Sequence, residues 1–365
     1  MLGRADVAIV GAGIVGLSAA YALNRRGVRV AVYERGVPGN GQSGGDSRIF
    51  RHTHEDPRLV SLALRSRALW REWEAAGGRE LVTGDGVVSI GPHVRRRAEL
   101  MRQAGAAARL IDPGELSERL PLLAGWEGEA LLDEDGGVIR TRAAIEMLGD
   151  ALADSMVFDE VLSVRPTAAG TVQVHAGATA VEHDRVVVCA GRETASLARS
   201  AGLVVPVRQS AHVRLAFPVR GEPPKRLACL LEGSGAYGEA SAYADPLPGN
   251  RLYAVGVDET PVGPDGALVD PEGLAAIAQR TTRYVARALP GLAPEAAQAR
   301  HCWITELPWG HDAFAVWEAG GASFLVGHNL FKHAPALGRA LAAQVMGEDP
   351  GIELRPDDRL GAPRP

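Results

Sequence analysis

Lysine is nearly absent from this chain. Among its 39 basic residues only Lys225 and Lys332 are lysines, and arginine supplies the rest. GC-rich coding accounts for such a bias. Even so, the scarcity of lysine makes each of the two lysine positions worth examining. The net charge of −5 gives no case for binding nucleic acid or an anionic membrane surface, because those partners attract basic surfaces.

Cysteine and long apolar runs are also scarce. Cys189, Cys229 and Cys302 are too few and too scattered for a disulfide framework, which predicts a reducing compartment. No run approaches 18 apolar residues, and the first apolar stretch begins almost at Met1, which leaves no room for a secretory signal. We therefore expect a cytoplasmic protein without a membrane partner.

Residues 7–34 carry the strongest local pattern. An apolar run leads into a turn with Gly11, Gly13 and Gly16, a helical stretch follows, and a second β-rich run ends at Glu34. This order is that of a dinucleotide-binding βαβ unit. Gly11 permits the tight turn, Gly13 lets the backbone approach a pyrophosphate, and Gly16 lets the helix pack on the strand. Glu34 stands about 20 residues after Gly13, where an acid binds a ribose hydroxyl.

Three further segments narrow the choice of cofactor. Residues 45–52 read Gly-Asp-Ser-Arg-Ile-Phe-Arg-His, residues 302–305 read Cys-Trp-Ile-Thr, and Phe331-Lys332 precedes a helical stretch. With residues 62–66 and 69–70, these segments resemble the FAD-dependent D-amino acid oxidase family, in its monomeric sarcosine oxidase and glycine oxidase-like branch. The matches lie toward both ends of the chain, and the middle is similar only in pattern.

The resemblance implies an α/β (α+β) fold of two interleaved domains. A Rossmann-like FAD-binding domain is expected in residues 1–82, 143–207 and 297–365. A substrate domain built on a large antiparallel or mixed β-sheet is expected in residues 83–142 and 208–296. The apolar run 185–191 suits a buried strand of the FAD-binding domain, and the β-rich region 206–261 suits the large sheet of the substrate domain.

The resemblance also implies which residues contact FAD. The turn after residue 326 is about two residues shorter than in the family, with Asn329 and Leu330 where glycine is usual. The expected contacts are Gly11, Gly13, Ile14, Val15, Gly16, Glu34, Arg35, Ser43, Arg48, Val161, Ala190, Gly191, Cys302, Gly327, His328, Phe331 and Lys332.

Arginine suits recognition of an amino acid carboxylate because its planar fork can donate two parallel bonds. By family position, Arg51 and Lys332 form the carboxylate clamp and Arg48 lies nearer the flavin, and these three are the expected catalytic residues. A helical turn would place Arg48 and Arg51 on one side. Lys332 at a helix start opposes the helix dipole, which favours a functional role.

Other positions are expected to shape the cavity or depart from the family. Tyr237, Tyr243 and Tyr253 could line its roof, although tyrosines in a sheet are more often packing residues. The family's oxygen-activating lysine is replaced by Tyr253 or Ala254, depending on a one-residue alignment choice, and its nearby histidine by Asp258. Slower reaction with oxygen is therefore expected.

Cys302 aligns with the cysteine that carries the flavin through a thioether in this branch, the alternative being a buried structural cysteine. The turn after it, residues 308–312, is longer and more aromatic than the family's proline–aspartate turn. We expect no metal, because neither the pair His52 and His54 nor the pair His328 and His333 has a third ligand at a recognised spacing.

These features predict an FAD-dependent oxidase of a secondary amine or N-substituted amino acid. Hydride transfer to flavin N5, imine hydrolysis and reduction of molecular oxygen to peroxide are expected, with glyoxylate as the product from an N-carboxymethyl amine in a specialised pathway. One alternative is a dehydrogenase that passes electrons to a partner or quinone, and another is a non-catalytic FAD-binding subunit. The oligomeric state is expected to be a monomer or a small homo-oligomer.

Overall fold

The computed structural model describes residues 5–262 and 270–362. In these ranges the strands, numbered in chain order, form a six-stranded sheet, a nine-stranded sheet and two small sheets. Segments of both large sheets alternate along the chain, so the predicted α/β (α+β) fold with interleaved domains is confirmed.

The six-stranded sheet has the order β19-β20-β12-β1-β2-β8. Its strands pair in parallel except β19, which pairs antiparallel with β20 at one edge. Helices cover this sheet, so its central strands are apolar on both faces, as expected for buried parallel strands. The strands are β1 (Val7–Val10), β2 (Val30–Glu34), β8 (Met156–Phe158), β12 (Arg185–Val188), β19 (Phe314–Ala319) and β20 (Ala322–Gly327).

The nine-stranded sheet has the order β17-β13-β16-β15-β14-β4-β6-β5, with β18 paired to β13. All pairs are antiparallel except that of β14 with β4, so the sheet is mixed. The strands are β4 (Val87–Ile90), β5 (Ala108–Ile111), β6 (Ala130–Asp133), β13 (Arg208–Pro218), β14 (Cys229–Glu232), β15 (Ala242–Pro246), β16 (Leu252–Gly256), β17 (Thr260–Pro261) and β18 (Gln298–Glu306).

The small sheets extend and link these two layers. One contains β9 (Val161–Pro166), β10 (Val172–Ala176) and β11 (Thr179–His183); the other pairs β3 (Arg48–Phe50) with β7 (Gly137–Ile139). Residues 156–166 contribute to both β8 and β9. Residues 48–50 are a strand, so the helical turn considered for the arginine segment does not occur.

Three of the helices begin at aspartate caps that the sequence provides. Asp56, Asp112 and Asp270 each accept a backbone N–H in the first turn and are followed by proline at the first helical position. The helices are α1 (Ile14–Asn24), α2 (Pro57–Gly77), α3 (Val94–Gln103), α4 (Pro113–Arg119), α5 (Thr141–Ala151), α6 (Thr194–Ser200), α7 (Pro271–Ala288) and α8 (Ala334–Val345).

Close packing of α1 against α8 brings the two ends of the chain together. A Cβ on Gly338 would lie 2.6 Å from Cβ of Ser18, so glycine permits this approach. Helix α7 covers the outer face of the nine-stranded sheet, with Tyr253 and Tyr284 in the core between them. In the described part of the chain, no helix is long and apolar enough to cross a membrane.

The pairing of β18 places residues 298–306 in the nine-stranded sheet. Sequence reasoning placed this segment, which includes Cys302, in the FAD-binding domain. Its register sets Cys302 opposite His212 on β13, so the cysteine is carried by the substrate sheet.

Candidate active site

A cavity of about 700 Å³ lies between the two large sheets. Its walls come from the glycine turn before α1, the segment around β3, the inner face of β13 and β15, strand β18, and the turn between β20 and α8. Of the predicted residues it brings together Gly13, Ile14, Val15, Ser43, Arg48, Arg51, Gly191, Tyr243, Cys302, Gly327, His328, Phe331 and Lys332.

A second cavity of about 450 Å³ shares Gly13, Ser43 and Gly191 with the first. It follows the carboxyl ends of β1 and β2, where ligands bind in open α/β sheets. The predicted residues along it include Gly11, Glu34, Arg35, Val161 and Ala190. Together the two cavities make an elongated site with the form that a dinucleotide requires.

The glycine turn has the geometry that close approach of a cofactor demands. Gly11 has φ +99° and a Cβ there would lie 2.6 Å from the carbonyl oxygen of Cys189. A Cβ on Gly16 would lie 2.0 Å from the carbonyl oxygen of Gly11. Gly16 therefore permits α1 to pack on the turn, and it does not itself line the cavity. The N-terminus of α1 therefore faces the cavity junction, where its free N–H groups suit a pyrophosphate.

Two side chains hold this turn from outside. The Glu34 carboxylate accepts bonds from the backbone N–H of Ala12 at 2.9 Å and of Gly36 at 2.9 Å. The Ser43 hydroxyl accepts from the N–H of Ile14 at 3.0 Å. These contacts fix the backbone beside which the adenine half of FAD would lie, so the residues present fit this cofactor.

Arg48 reaches the middle of the large cavity. It donates to the carbonyl oxygens of Ser47 at 2.8 Å, Gln42 at 3.2 Å and Gly44, so the loop backbone holds its guanidinium. Burial lowers the pKa of Arg48, but arginine keeps its proton throughout the accessible pH range. Arg48, the residue that the sequence predicts nearer the flavin, therefore carries a fixed positive charge.

Arg51 and Lys332 meet through a residue that sequence reasoning did not select. Asp312 Oδ2 accepts from Arg51 Nη2 at 2.7 Å and lies 2.9 Å from His54 Nδ1. Asp312 Oδ1 accepts from Asn329 Nδ2 at 2.7 Å and lies 3.9 Å from Lys332 Nζ. We call these five residues the loop cluster, because all of them stand outside the strands and α-helices.

Lys332 is held in place by its own turn. Its Nζ donates to the carbonyl oxygen of Asn329 at 3.0 Å, and its own carbonyl accepts from Trp70 Nε1 of α2 at 3.0 Å. Trp70 also stacks on Phe331, at 6.4 Å between ring centroids and 5° between planes. The side chain is only 3% exposed, so α2 and the turn fix a buried amine at the cavity wall.

Burial and neighbouring charges change the protonation of the loop cluster. Burial lowers the pKa of Lys332 to about 7, with Asp312 raising it and Arg51 lowering it. Burial also lowers the pKa of His54 to about 3, so that imidazole is neutral. Burial alone would raise the pKa of Asp312, but Arg51, Lys332 and His54 hold it well below its usual range. Asp312 is therefore an anion at every pH of interest.

The inner face of the nine-stranded sheet carries a second polar group. Arg214 on β13 donates to Asp245 on β15, and its guanidinium lies 5.8 Å from the ring centre of Tyr243. The Tyr243 hydroxyl lies 3.2 Å from the nitrogens of His212. We call His212, Arg214, Tyr243 and Asp245 the sheet cluster. The signal that could have found it is an arginine inside the otherwise apolar strand Ala-His-Val-Arg-Leu-Ala-Phe.

The structure separates the three tyrosines that were expected at the cavity. Tyr243 lies at the wall. Tyr253 instead points into the core under α7, where its hydroxyl donates to the carbonyl oxygen of Ala228 at 2.8 Å. Tyr237 bonds the carbonyl oxygens of Ala124 and Gly125 in a surface loop. The expectation is corrected for Tyr237 and Tyr253, which serve packing.

The inward position of β16 is Ala254. It pairs with Ala216 and Asp245, whose side chains share its face, whereas Tyr253 faces the opposite side. Of the two residues that could replace the family's lysine, only Ala254 faces the same side of the sheet as Asp245. The replacement itself stays a prediction.

The three cysteines differ in their surroundings. Cys302 on β18 is partly exposed and lines the large cavity. Burial raises the pKa of the Cys189 thiol to about 12 and that of Cys229 well above its usual value. Thiolate chemistry is therefore disfavoured at Cys189 and Cys229.

Glu306, His311 and His328 approach one another beside the cavity, with ligand atoms within 4.8 Å. Glu306 already accepts bonds from His311 and Arg208, which gives its buried carboxylate two cationic or polar partners. Sequence spacing alone could not show this approach, because Glu306 and His311 flank a turn and His328 follows β20. The expectation of a protein without a metal stays a prediction.

Comparisons with known proteins agree with this geometry. The model of the family described as FAD dependent oxidoreductase matches residues 6–344. Monomeric sarcosine oxidase of Streptomyces avermitilis is 29% identical over 362 residues, covering 92% of each chain. N-methyl-L-tryptophan oxidase of Yersinia pestis is 26% identical, covering 68% of this chain and 66% of the relative.

Solved structures share the fold. NikD, an unusual amino acid oxidase essential for nikkomycin biosynthesis, superposes in its open form with a TM-score of 0.83 at 20% identity, covering 98% of this chain and 97% of that one. Glycine oxidase from Geobacillus kaustophilus gives a TM-score of 0.81 at 22% identity and 97% coverage of both chains. The chain therefore belongs to the FAD-dependent oxidoreductase family, in the sarcosine and glycine oxidase-like branch that its sequence resembles, and FAD is its cofactor.

Proposed function

We propose that the enzyme oxidises the C–N bond of a secondary amine that carries a carboxylate, an N-substituted amino acid of the N-substituted glycine type. The observation that carries this proposal is the presence of Arg51 and Lys332 on the wall of the cavity that also holds Cys302. The names of its relatives, which include oxidases of sarcosine and of N-methyl-L-tryptophan, support the substrate class.

In this proposal Arg51 and Lys332 bind the substrate carboxylate. Arg51 has further N–H donors beside those that bind Asp312 and the carbonyl oxygen of Thr53, and a protonated Lys332 adds a second cation. Tyr243 lines the same cavity and would contact the remainder of the substrate. Arg48, held by backbone carbonyls, would face the flavin.

The bound FAD supplies the hydride acceptor, at its N5 atom. The substrate enters with its amine neutral, so no residue has to act as a strong base. Loss of a hydride from the neutral amine leaves an iminium ion, which water hydrolyses. From an N-carboxymethyl amine the products are the free amine and glyoxylate, and the two electrons pass to oxygen to give hydrogen peroxide.

The substrate is proposed to be larger than sarcosine and to belong to a specialised biosynthetic pathway. The inner face of the sheet carries the sheet cluster and has no lysine at residues 253–254, which supports a different cage around the substrate. The fold shared with NikD, whose described role is biosynthetic, agrees with this. We propose that the enzyme works in the cytoplasm as a monomer or small homo-oligomer.

Cys302 is proposed to attach FAD covalently. Its thiol lines the large cavity, whereas burial disfavours the thiolates of Cys189 and Cys229. Protein precipitated with acid should remain yellow, and Cys302→Ser should release its colour to the supernatant. Cys229→Ser is the matched control and should stay yellow. A colourless wild-type pellet would refute the attachment.

A second candidate is a dehydrogenase that passes electrons to an acceptor other than oxygen. The observation that favours it is Ala254 at the inward position of β16. Stopped-flow measurement of the oxygen reaction should then show slow reoxidation. Peroxide formed at the rate of imine production would eliminate the dehydrogenase.

The deciding experiment is anaerobic bleaching of the flavin at about 450 nm, a wavelength set by the oxidised cofactor, against N-substituted glycines, β-amino acids and cyclic imino acids. An N-ethyl amine matched to each N-carboxymethyl amine tests the need for a carboxylate. Only the amines that carry a carboxylate are expected to bleach the flavin. Glyoxylate is then expected among the products of the N-carboxymethyl amines. Absence of bleaching by every amine would sink the oxidation proposal and favour the non-catalytic subunit.

A further inference from the structure

Asp312 has every position around its carboxylate engaged. Oδ2 accepts from Arg51 and lies against His54, while Oδ1 accepts from Asn329 and faces Lys332 at 3.9 Å. A carboxylate offers about four lone-pair positions, so little capacity is left for a substrate amine. Asp312 is thus bound to the enzyme's own cations rather than directed at a ligand.

The backbone on either side of Asp312 is tightly packed. A Cβ on Gly310 would lie 2.3 Å from the carbonyl oxygen of Gly361, and a Cβ on Gly361 would lie 2.8 Å from that of Asp312 itself. The next residue, Ala313, is fully buried, and its carbonyl accepts from the N–H of His328 at 3.2 Å. The carboxylate cannot withdraw far unless this packing is broken.

We propose that Asp312 is a positioning residue of the active site, which ties Arg51 to the turn carrying Lys332 and directs both cations into the cavity as one carboxylate clamp. The proposal rests on the proposed function, since it assumes that Arg51 and Lys332 bind the substrate carboxylate. Asp312 joins three segments distant in sequence: the strand end at residue 51, the turn 307–313, and the turn 327–333.

The same contacts favour the charged form of Lys332. Asp312 is the carboxylate that raises the pKa of Lys332, against the lowering by burial and by Arg51. An opposite charge within about 4–6 Å shifts a pKa by about 1–3 units. Several segments packed around Lys332 contribute titratable groups that face it. These groups are Asp312, Arg51, His54, His328 and His333. Burial lowers the pKa values of the three histidines, so they add no charge near neutral pH.

The test measures binding of acetate to the FAD-loaded enzyme as a function of pH, by perturbation of the flavin spectrum and by calorimetry. Asp312→Asn keeps the shape of the side chain and removes its charge. The pH at which acetate binding weakens should fall by at least about one unit, because Lys332 loses its opposite charge. A fall of about one unit from about 7 lowers the protonated fraction of Lys332 at pH 7 about fivefold, and the affinity for acetate should fall with it.

Asp258→Asn is the matched control. It removes the same charge from the wall of the same cavity, but Asp258 is half exposed and pairs with Arg280 rather than with the clamp. Exposed pairs contribute about 0–1 kcal/mol, so affinity should change less than about fivefold and the midpoint should stay in place. A control that shifts as far as Asp312→Asn would show a general effect of charge and overturn the positioning role.

Two other results would also overturn it. Tighter acetate binding by Asp312→Asn would show that Asp312 competes with the ligand, and an unchanged midpoint would show that it does not act on Lys332. Arg51→Met separates the two proposals: unchanged acetate affinity in that variant would defeat the clamp itself. If Asp312→Asn does not fold, Asp312→Glu decides, because it keeps the charge and moves the carboxylate away from its present contacts. Acetate affinity should then fall, and an unchanged affinity would contradict the positioning role.

Discussion

The loop cluster and the sheet cluster line one cavity with similar chemical groups, yet their supports differ. Arg214 and Asp245 stand on β13 and β15, the two strands that pair with β16 on either side in the nine-stranded sheet. Arg51, Asp312 and Lys332 stand on a strand end and two turns. Backbone hydrogen bonds therefore fix the first pair, whereas side-chain contacts between distant segments fix the second set.

The two clusters also differ in how their charge depends on pH. Arg214 keeps its proton at all accessible pH values, because Asp245 raises its pKa against the effect of burial. Lys332 has a pKa of about 7, so the loop cluster loses positive charge within the physiological range. In the proposed clamp, Lys332 makes the binding of a carboxylate depend on pH, whereas Arg214 in the sheet keeps a constant charge.

The largest effect is expected from removal of the ion pair between Arg214 and Asp245. Arg214→Leu leaves the buried carboxylate of Asp245 without its partner, and loss of one member of a buried pair costs about 3–5 kcal/mol. Urea unfolding of the FAD-loaded enzyme would measure this loss. The double variant Arg214→Leu/Asp245→Leu should recover most of it, because no unpaired charge remains. A loss below about 1 kcal/mol in the single variant would show that the pair is not structural.

The next effect concerns ligand binding at the loop cluster. Arg51→Met should weaken acetate binding at least about 30-fold, because truncating one partner of a buried charged pair costs about 2–5 kcal/mol. The change is read from the flavin spectrum. Arg97→Met is the matched control, since Arg97 lies at the same cavity wall but pairs with Glu55. It should change affinity less than about fivefold, and equal losses in both variants would contradict a specific clamp.

The third prediction tests the titration of Lys332. Below pH 7 the ammonium is present in the folded enzyme, and above it the proton is lost, so acetate should bind more weakly as pH rises through about 7. The loss should be about tenfold, the magnitude of one charged hydrogen bond. Lys332→Arg should bind acetate with the same affinity from pH 6 to pH 9, because arginine stays protonated. A wild-type enzyme without this dependence would place the lysine outside the binding site.

Local patterns predict part of the secondary structure. The glycine turn, the acid at residue 34 and the helices with aspartate caps follow from contacts between residues close in sequence, which single-sequence patterns record. The resemblance added the positions of Arg51, Cys302 and Lys332. The strand at Phe314–Ala319 was missed, because it pairs only with β20 and has no strong alternation.

The residues that sequence reasoning missed are those whose role depends on long-range packing. Asp312 belongs to a turn that was noticed only for its unusual length, and its partners Arg51 and Asn329 come from distant segments. Tyr253 was placed at the cavity because its facing could not be known until the register of β16 was set. A shift of one residue in a strand exchanges its two faces, which is why sequence patterns alone left this position open.

The smallest effect separates a hydrogen bond from the charges around it. Tyr243→Phe removes the hydroxyl that lies 3.2 Å from His212, and burial raises the pKa of Tyr243, so the group lost is a neutral donor. The free energy of unfolding should fall by about 1 kcal/mol, the usual contribution of a neutral hydrogen bond. Acetate binding should change less than about twofold, since separate sites contribute independently. If Tyr243→Phe instead alters acetate binding as strongly as Arg51→Met, the two clusters act as one unit, and the contrast between a fixed sheet and a titratable clamp fails.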